Sequence, residues 1–351
     1  MTNFIESSAS LIVESDVKKK IELIGRICYR SENKICEGSA DKFVANVMEK
    51  KHYSILEHVP VYIVFHDAHH NATISRGGFI NGYRAIRAKL NKVPFQNGVG
   101  TLKYVPDLGH GIYAICVNAR TIAEMFDDIY EFMNKQGRVS IEEIVEFPTY
   151  SFDYFYMLIN SLLNHPQFNF LVNPNMSEFS NIPTSCKLKL DDFQIMTEYE
   201  IDFNDPLLKE VYYFGDMAFY TIKFVCDRGT SHELVRHRNC AFMQESTRYC
   251  DYSDGVNFIM PEIENFSTEI YIKSRLSEMA DIYETVVDLG VKPELARCVL
   301  PNALATTLIV TASLNEWRHI FDLRLFDLGG VAHPQIKEVM QKAYDLIKDE
   351  F

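Results

Sequence analysis

The chain has 351 residues, of which 47% are hydrophobic, and a formal net charge of -13 at pH 7. That length and apolar content are typical of a globular protein with one elaborated domain or two ordinary ones, so disorder is excluded as the default. The negative charge would repel a polyanion over most of the surface, which argues against a general nucleic-acid binder.

No apolar run approaches the roughly 20 residues that a membrane span needs, and the first ten residues lack the pattern of a secretory signal. We therefore expect no membrane partner and a cytoplasmic protein. The eight cysteines are scattered without C-x-x-C spacing. This spacing predicts free thiols rather than a disulfide framework or a zinc site.

Two periodic patterns and one apolar run predict the elements of the first third. Val17, Ile21, Ile24 and Cys28 recur at three- and four-residue steps, which predicts a helix. A second helix is expected over residues 40–50. VPVYIVF predicts a strand because it is rich in β-branched residues. Turn signals break the following stretch, in which only a strand at IYAICV and a helix over 120–134 are predicted.

The last third has clearer signals. AFYTIKFV predicts a strand, and Thr230-Ser231-His232-Glu233 resembles a capping box that would start a helix running through Arg238. Further helices are expected at about 268–289, where Gly290 follows, at about 303–324, and from Pro334 to the end.

A cluster of three arginines lies between residues 236 and 249 of this acidic chain. Arginine presents a planar fork of donors that matches phosphate oxygens, so the cluster suits a nucleotide or dinucleotide. On an ideal helix Arg236 and Arg238 point about 200° apart, so they bind one phosphate only if the helix ends there. A second ligand, or a solvated turn paired with carboxylates, are the alternatives.

The spacing of this cluster resembles a known signature. Arg236-His237-Arg238, seven further residues and Ser246 match the R-H-R-x7-S pattern of the flavin-dependent thymidylate synthase family. The match extends to the H-x-S-x-x-E-H element at residues 52–58, S-x-R-Y at 246–249, E-x-A-R-x-x-L-P at 294–301 and the helix that ends at Arg324. Ala241 and Met243 stand where the family commonly has Ser and Asn.

The resemblance implies an α+β fold in which a twisted sheet packs with long helices. It also implies a single catalytic domain over residues 1–351, with 59–219 as a large insertion. The implied reaction is methylation of dUMP to dTMP with methylenetetrahydrofolate as one-carbon donor, FAD as cofactor and NADPH as reductant. No protein nucleophile is required. The implied assembly is a homotetramer with active sites at subunit interfaces.

Site residues follow from the matching positions. The resemblance implies that Arg248 and Ser246 bind the dUMP phosphate and that Arg324 lies near the uracil carbonyls, so these three are the expected catalytic residues. Cys28 is expected to line the flavin pocket. The resemblance further implies that FAD is bound by His52, Ser54, Glu57, Arg236, His237, Arg238 and His319. It implies that dUMP is bound by Glu233, Gln244, Ser246, Thr247, Arg248, Tyr249, Arg297 and Arg324.

Several of these residues have simpler interpretations. Glu233 could be only the capping-box carboxylate. Arg324 lies about 140° from His319 on an ideal helix, so both reach one pocket only if the helix ends near Leu323. Cys240 and Cys298 are expected to be buried packing residues, and Trp317 a core residue. The three histidines of FHDAHH at 65–70 do not predict a metal site, because a second ligand cluster is missing.

Two other function classes compete with the enzyme. A relative that binds FAD or a nucleotide but has lost or changed turnover would be consistent with Ala241 and Met243. A nucleic-acid binder would use the arginine cluster, and the net charge of -13 opposes it.

Overall fold

A computed structural model describes residues 2–66, 103–105, 112–136, 158–172, 193–196, 200, 217–253 and 255–351. The chain divides into two compact units. The first comprises Met1–Val13, Glu22–Cys36 and Tyr220–Phe351, and the second comprises Glu14–Ile21 and Glu37–Phe219. Both units combine helices with sheet, which confirms the predicted α+β class. The single catalytic domain with 59–219 as an insertion stays a prediction.

The elements are numbered in chain order through both units. The described strands are β1 (Thr2–Phe4), β2 (Ser8–Leu11), β3 (Pro60–His66), β4 (Lys103–Val105), β5 (Ile112–Asn118), β6 (Phe193–Met196), β7 (Phe219–Asp227), β8 (Ala241–Gln244), β9 (Val256–Phe258) and β10 (Ala305–Ser313). The described α-helices are α1 (Val17–Ile27), α2 (Ser39–Glu49), α3 (Ala119–Gln136), α4 (Arg228–Leu234), α5 (Phe266–Asp288), α6 (Pro293–Ala296), α7 (Leu314–Arg324) and α8 (Pro334–Ile347).

The first unit is built on a four-stranded sheet in the order β2-β7-β10-β8. Strands β2 and β7 are antiparallel, and so are β10 and β8. Alternate residues of β7 and β10 pack against α7 and α8, in a core that contains Phe224, Val310, Trp317 and Met340. Trp317 is fully buried, as predicted, and its Nε1–H donates to the Tyr220 carbonyl at 3.1 Å. The sheet therefore gives α4, α7 and β8 a fixed support.

A smaller core lies beside that sheet in the same unit. Strand β1 pairs with β9 in parallel, and helix α5 packs Leu276, Ala280 and Tyr283 against Phe258. Asn265 caps α5 by accepting from the Thr268 amide at 3.0 Å. Gly290 follows the helix with φ +89°, a conformation that other residues rarely adopt, so the predicted stop at this glycine is confirmed.

The second unit contains an antiparallel sheet in the order β4-β5-β3-β6. Ile63 of β3 pairs with Ile115 of β5 and with Ile195 of β6, so β3 is a central strand. This confirms the strands predicted at VPVYIVF and IYAICV, together with the helices predicted over 40–50 and 120–134. Of the FHDAHH histidines, His69 and His70 lie outside the described residues. Among the described helices, none combines the length and apolarity that crossing a bilayer requires.

Two helix predictions were wrong in their bounds. Residues 305–313 form strand β10 rather than the start of a helix, because ATTLIVTAS is rich in β-branched residues and is buried on both faces. The helix begins only at Leu314, where the Ser313 hydroxyl accepts from the Glu316 amide. The helix expected to run through Arg238 ends at Leu234, since the chain must leave it to enter β8 at Ala241.

Candidate active site

Helix α4 is started by Asp227 and not by the predicted capping box. The Asp227 carboxylate accepts from the Thr230 amide at 2.9 Å and from the Thr230 hydroxyl at 2.6 Å. Gly229 is required in this turn, because a Cβ there would approach Asp227 Oδ1 to 2.9 Å. The cap thereby shifts the helix start to Arg228 and leaves Glu233 near the other end, so Glu233 is not a capping carboxylate.

Four predicted site residues meet at the carboxyl ends of α4 and α7. Arg324 Nη1 donates to Glu233 Oε2 at 3.0 Å, and Arg324 Nε lies 3.3 Å from His237 Nε2. The ring centres of His237 and His319 are 6.2 Å apart, edge to face. Helix α7 ends at Arg324, which lets this side chain and His319 reach the same histidine despite their angular separation. We call Glu233, His237, His319 and Arg324 the Arg324 cluster.

His237 is kept neutral in this cluster. Burial, the Arg324 guanidinium and His319 together lower the pKa of His237 to about 4. A neutral imidazole nitrogen accepts the Arg324 Nε–H, whereas a protonated ring would repel the guanidinium. The cluster therefore holds one fixed positive charge, on Arg324, with acceptors on two of its sides.

Arg236 and Arg238 flank His237 outside any helix. Both are exposed, and neither makes an ion pair with a described residue. The salt-bridged form of the basic turn is therefore not supported in the described part of the chain, whereas the solvated form stays open. In a protein of net charge -13, two exposed guanidiniums without carboxylate partners suit an anionic ligand.

Gln244 ends β8 on the side of the Ser231 hydroxyl. Its Nε2 donates to Ser231 Oγ at 2.9 Å and to Thr306 Oγ1 at 3.3 Å. Ala241 and Met243 alternate with Gln244 along the strand and are buried, so they point to the opposite face of the sheet. The absence of polar groups at these two positions therefore does not remove a contact from the Gln244 side.

The other predicted dUMP residues lie in a loop that follows β8. Ser246 Oγ accepts from the Arg248 amide at 3.3 Å, and Arg297 Nη1 donates to Thr247 Oγ1 at 3.2 Å. The Arg248 side chain is 59% exposed and contacts Glu294 at 3.4 Å. Tyr249 is exposed, and its ring centre lies 5.1 Å from the ring centre of Tyr29. We call Ser246, Thr247, Arg248, Tyr249 and Arg297 the Ser246 cluster.

The two clusters are separate within this chain. Among the described residues, no hydrogen bond or ion pair joins the Arg324 cluster to the Ser246 cluster. Ser246 has no histidine partner there that could act as a base. The described residues thus give Ser246 no activating base, and its role as a phosphate ligand stays a prediction.

Cavities adjoin both regions. One of about 220 Å³ is lined by Glu233 together with Asp227, Asn302 and His333. A larger one of about 470 Å³ is lined by residues that include Arg30, Glu245, Tyr252 and Thr306. The larger volume lies in the range of small-molecule sites.

The cysteines near the site are poor nucleophiles. The Ser246 amide donates to the Cys28 carbonyl at 3.0 Å, and the Cys250 thiol lies 3.5 Å from the same oxygen. Burial and the nearby Glu245 raise the pKa of Cys28, and burial with Glu245 raises the pKa of Cys250 to about 12. Cys240 is buried, as predicted, but Cys298 is exposed because it lies in the short 3-10 turn Arg297–Val299.

Three predicted flavin residues belong to the second unit. His52, Ser54 and Glu57 lie in or next to the 3-10 helix Tyr53–His58, where His52 and Ser54 are exposed. Glu57 forms an ion pair with Arg120. Burial raises the pKa of Glu57, and Arg120 opposes that shift. Their role in flavin binding stays a prediction.

Sequence reasoning missed several partners of the site residues. Ser231 and Thr306 hold Gln244, Glu294 contacts Arg248, and Glu245 is buried beside Ser246. Glu294 was noted only as part of a motif. Thr306 could not be found, because its stretch was interpreted as a helix and not as the strand next to β8.

Part of the chain is similar to known proteins. Residues 212–351 match the family model described as "Thymidylate synthase complementing protein". Flavin-dependent thymidylate synthases from Pyrococcus furiosus and Geobacter sulfurreducens are similar to this chain. The first is 36% identical over 122 residues, which cover 33% of this chain and 49% of that relative. The second is 40% identical over 100 residues, which cover 28% of this chain and 43% of that relative.

The enzyme of the same name from Saccharolobus solfataricus is 31% identical over 154 residues, 41% of this chain and 59% of that one. The chain thus spans about half the length of the curated relatives it matches. A solved UMP/dUMP methylase from Streptomyces cacaoi, bound with 5-Br dUMP, has 23% identity, covers 37% of this chain and 67% of that one, and has a TM-score of 0.34, too low to carry an argument.

The residues of both clusters lie between 233 and 324, inside the matched region. Residues 212–351 are therefore similar to the thymidylate synthase complementing protein family.

Proposed function

We propose that this chain is an enzyme that methylates dUMP to dTMP with bound FAD, methylenetetrahydrofolate as one-carbon donor and NADPH as reductant, without a covalent protein nucleophile. The observation that carries the proposal is the Arg324 cluster, in which a guanidinium is fixed by Glu233 and His237 inside the region that matches the family. The names of the similar proteins support the same reaction.

Arg324 would act on the uracil ring. Bond formation between C5 and the methylene of the one-carbon donor, with hydride addition at C6, would develop negative charge on the uracil oxygens. A guanidinium that is already oriented by two partners stabilises that charge without reorganising. The neutral state of His237 supports this role, since it leaves the positive charge on Arg324 alone.

The Ser246 cluster would bind the phosphate of dUMP. Ser246 and Thr247 offer hydroxyl groups, and Arg248 and Arg297 offer charged donors that suit phosphate oxygens. Gln244 and Tyr249 would contact the nucleotide between phosphate and base. The exposure of Arg248 supports a ligand role, because its contact with Glu294 is long and easily exchanged.

The residues present fit a flavin dinucleotide. Arg236 and Arg238 are exposed and lack ion-pair partners among the described residues, and a diphosphate would supply the missing negative charge. His237 and His319 would adjoin it, and His52, Ser54 and Glu57 are proposed as further FAD ligands. When bound, FAD supplies the hydride-transfer chemistry that no side chain has.

The absence of a protein nucleophile is supported by the thiols. Cys28 and Cys250 are the cysteines next to Ser246, and their raised pKa values keep them protonated at neutral pH. A covalent mechanism needs a thiolate, so these positions do not favour one.

The test is dTMP formation by the purified chain given dUMP, methylenetetrahydrofolate, FAD and NADPH. We expect product that disappears when FAD is omitted and in the Arg324→Ala variant. If the protein binds FAD and forms no dTMP, it is instead a flavin- or nucleotide-binding relative with lost or changed turnover.

We also propose a homotetramer whose active sites combine residues of different copies. Two observations support it: the two clusters are not joined within the described chain, and helix α5 exposes Phe266, Ile270, Tyr271 and Ile282 on its surface. The test is to mix Arg324→Ala with Arg248→Ala protein and to assay at a dUMP concentration well below the KM of Arg248→Ala, where each variant alone has little activity. Recovery of activity in the mixture is expected if each site takes residues from two copies. A monomeric wild type, or a mixture without recovery, would contradict the proposal.

A further inference from the structure

The loop that carries Ser246, Thr247, Arg248 and Tyr249 is closed at its base by two buried side chains. Glu245 lies directly before the loop and is 7% exposed, and Tyr252 lies three residues after Tyr249 and is 4% exposed. The Tyr252 hydroxyl donates to Glu245 Oε1 at 2.6 Å. Neither residue has a part in the proposed reaction.

Tyr252 is the donor of this bond, and its ring is held in place. Burial and the Glu245 carboxylate raise the pKa of Tyr252, so the phenol stays protonated. The ring meets Tyr283 edge to face at 6.0 Å, and the Tyr252 amide lies 3.4 Å from the Tyr283 hydroxyl. On its other side, the Arg30 guanidinium lies 5.3 Å from the ring centre.

The backbone around this pair is specialised. Glu245 donates its amide to the Thr307 carbonyl at 2.8 Å, which fixes the loop entrance to β10. Arg30 has φ 47°, a left-handed conformation that costs a non-glycine residue energy. In this conformation the Arg30 guanidinium lies over the Tyr252 ring, and both residues line the 470 Å³ cavity. The pair is therefore braced from both sides.

Between its two ends, the loop has further restraints. The Ser246 amide donates to the Cys28 carbonyl at 3.0 Å, and the Tyr249 and Cys250 amides donate to the Ser246 carbonyl at 3.1 and 2.9 Å. Thr247 accepts from Arg297, and the exposed Arg248 side chain contacts Glu294 and the Tyr249 ring. The bond between Glu245 and Tyr252 differs from these contacts because it joins the two ends of the loop.

We propose that the hydrogen bond between Tyr252 and Glu245 is the positioning contact that holds Ser246 and Arg248 in place to bind a phosphate monoester. This inference rests on the proposed function for its ligand, dUMP. It assigns Glu245 and Tyr252 as positioning residues, which act through the loop and do not touch the substrate.

The experiment compares three variants with the full-length wild type. Tyr252→Phe removes only the hydroxyl group and keeps the ring against Tyr283. Glu245→Gln keeps an oxygen that accepts from Tyr252. Tyr62→Phe is the matched control, because the Tyr62 hydroxyl in the second unit is also buried and donates to the Met217 carbonyl at 2.5 Å. Hydrogen exchange of the peptide covering 245–252 and calorimetric dUMP binding are measured for each.

In Tyr252→Phe we expect exchange of the loop amides to become about tenfold faster and the Kd for dUMP to rise about tenfold. Glu245→Gln should stay within about threefold of wild type in both. Tyr62→Phe should lower the Tm without changing either. Unchanged exchange in Tyr252→Phe, or faster exchange with unchanged dUMP affinity, would overturn the inference. Wild-type protein that fails to bind dUMP would overturn the proposed function, and the exchange rates would still decide whether the pair orders the loop.

Discussion

Arg324 and Arg248 carry the same guanidinium in very different surroundings. The Arg324 side chain is 24% exposed and has two partners within 3.3 Å, Glu233 and His237. The Arg248 side chain is 59% exposed and has one carboxylate contact at 3.4 Å. The first charge is fixed before any ligand arrives, and the second is free to reorient around one.

This difference separates two kinds of work. A fixed charge in a partly buried site stabilises charge that develops during a reaction, because it needs no reorganisation. An exposed charge on a loop captures an anion and contributes to binding. With the proposed function, the comparison predicts that Arg324 acts in the chemical step and that Arg248 contributes to nucleotide affinity.

The largest effect is expected from Arg324→Ala. Loss of the fixed charge should lower kcat for dTMP formation by about 100- to 1,000-fold. Steady-state kinetics at saturating dUMP measure this. Arg275→Ala is the control, since Arg275 is an exposed arginine of α5 whose ion pair among the described residues is with its helix neighbour Glu278. A change confined to KM would contradict the assignment of Arg324 to chemistry.

Arg248→Ala should act mainly on binding. Removing one charged donor to phosphate is expected to raise KM for dUMP by about 10- to 100-fold, with kcat within a few-fold of wild type. The effect should shrink when deoxyuridine replaces dUMP, because that substrate has no phosphate. An equal loss with both substrates would show that Arg248 does not contact the phosphate.

A pH effect should distinguish the Arg324 cluster from the loop. The folded-state pKa of His237 is about 4, below its ordinary value of 6.5. Between these values the unfolded chain binds the extra proton, so the free energy of unfolding falls as the pH drops from 6.5 towards 4 and is unaffected by His237 above 6.5.

His237→Gln should remove this part of the acid sensitivity. We expect the Tm difference between pH 7 and pH 5 to be a few degrees smaller than in wild type, whereas His232→Gln, at an exposed position of α4, keeps the wild-type difference. Identical pH profiles for wild type and His237→Gln, measured by thermal unfolding, would refute the account of a histidine kept neutral.

The smallest effect is expected from Glu294→Gln. This change removes the only carboxylate that contacts Arg248 among the described residues. Exposed pairs contribute about 0–1 kcal/mol, so the dUMP affinity should rise by no more than about threefold and the Tm should hardly move. Calorimetric titration with dUMP measures it. A large loss of affinity would mean that Glu294 orients Arg248 instead of competing for it.

Much of the fold could be predicted where local signals agree. Gly290 and Pro334 mark helix ends through their backbone preferences, and the structure has the end of α5 and the start of α8 there. Strand β10 could not be recognised, because a short apolar run buried on both faces has no period that separates strand from helix. The error hid Thr306 and the sheet partner of Gln244.

The site was predicted in part. The R-H-R-x7-S spacing pointed to His237, and the resemblance of the helix that ends at Arg324 pointed to Arg324. The contact between these two residues depends on where α4 and α7 end. Asp227 caps the start of α4 by accepting from the Thr230 amide and hydroxyl, so the predicted capping box at Thr230 does not begin the helix. The bond between Glu245 and Tyr252 depends on a turn within the loop, which residue types alone do not specify.

The most direct test is release of tritium from dUMP labelled at C5, since methylation replaces that hydrogen. FAD-loaded wild type, Arg324→Ala and Arg248→Ala are compared at saturating dUMP with methylenetetrahydrofolate and NADPH. We predict flavin-dependent release that Arg324→Ala abolishes and Arg248→Ala largely keeps. No release by wild type that holds FAD, or equal release by wild type and Arg324→Ala, would contradict the proposed reaction.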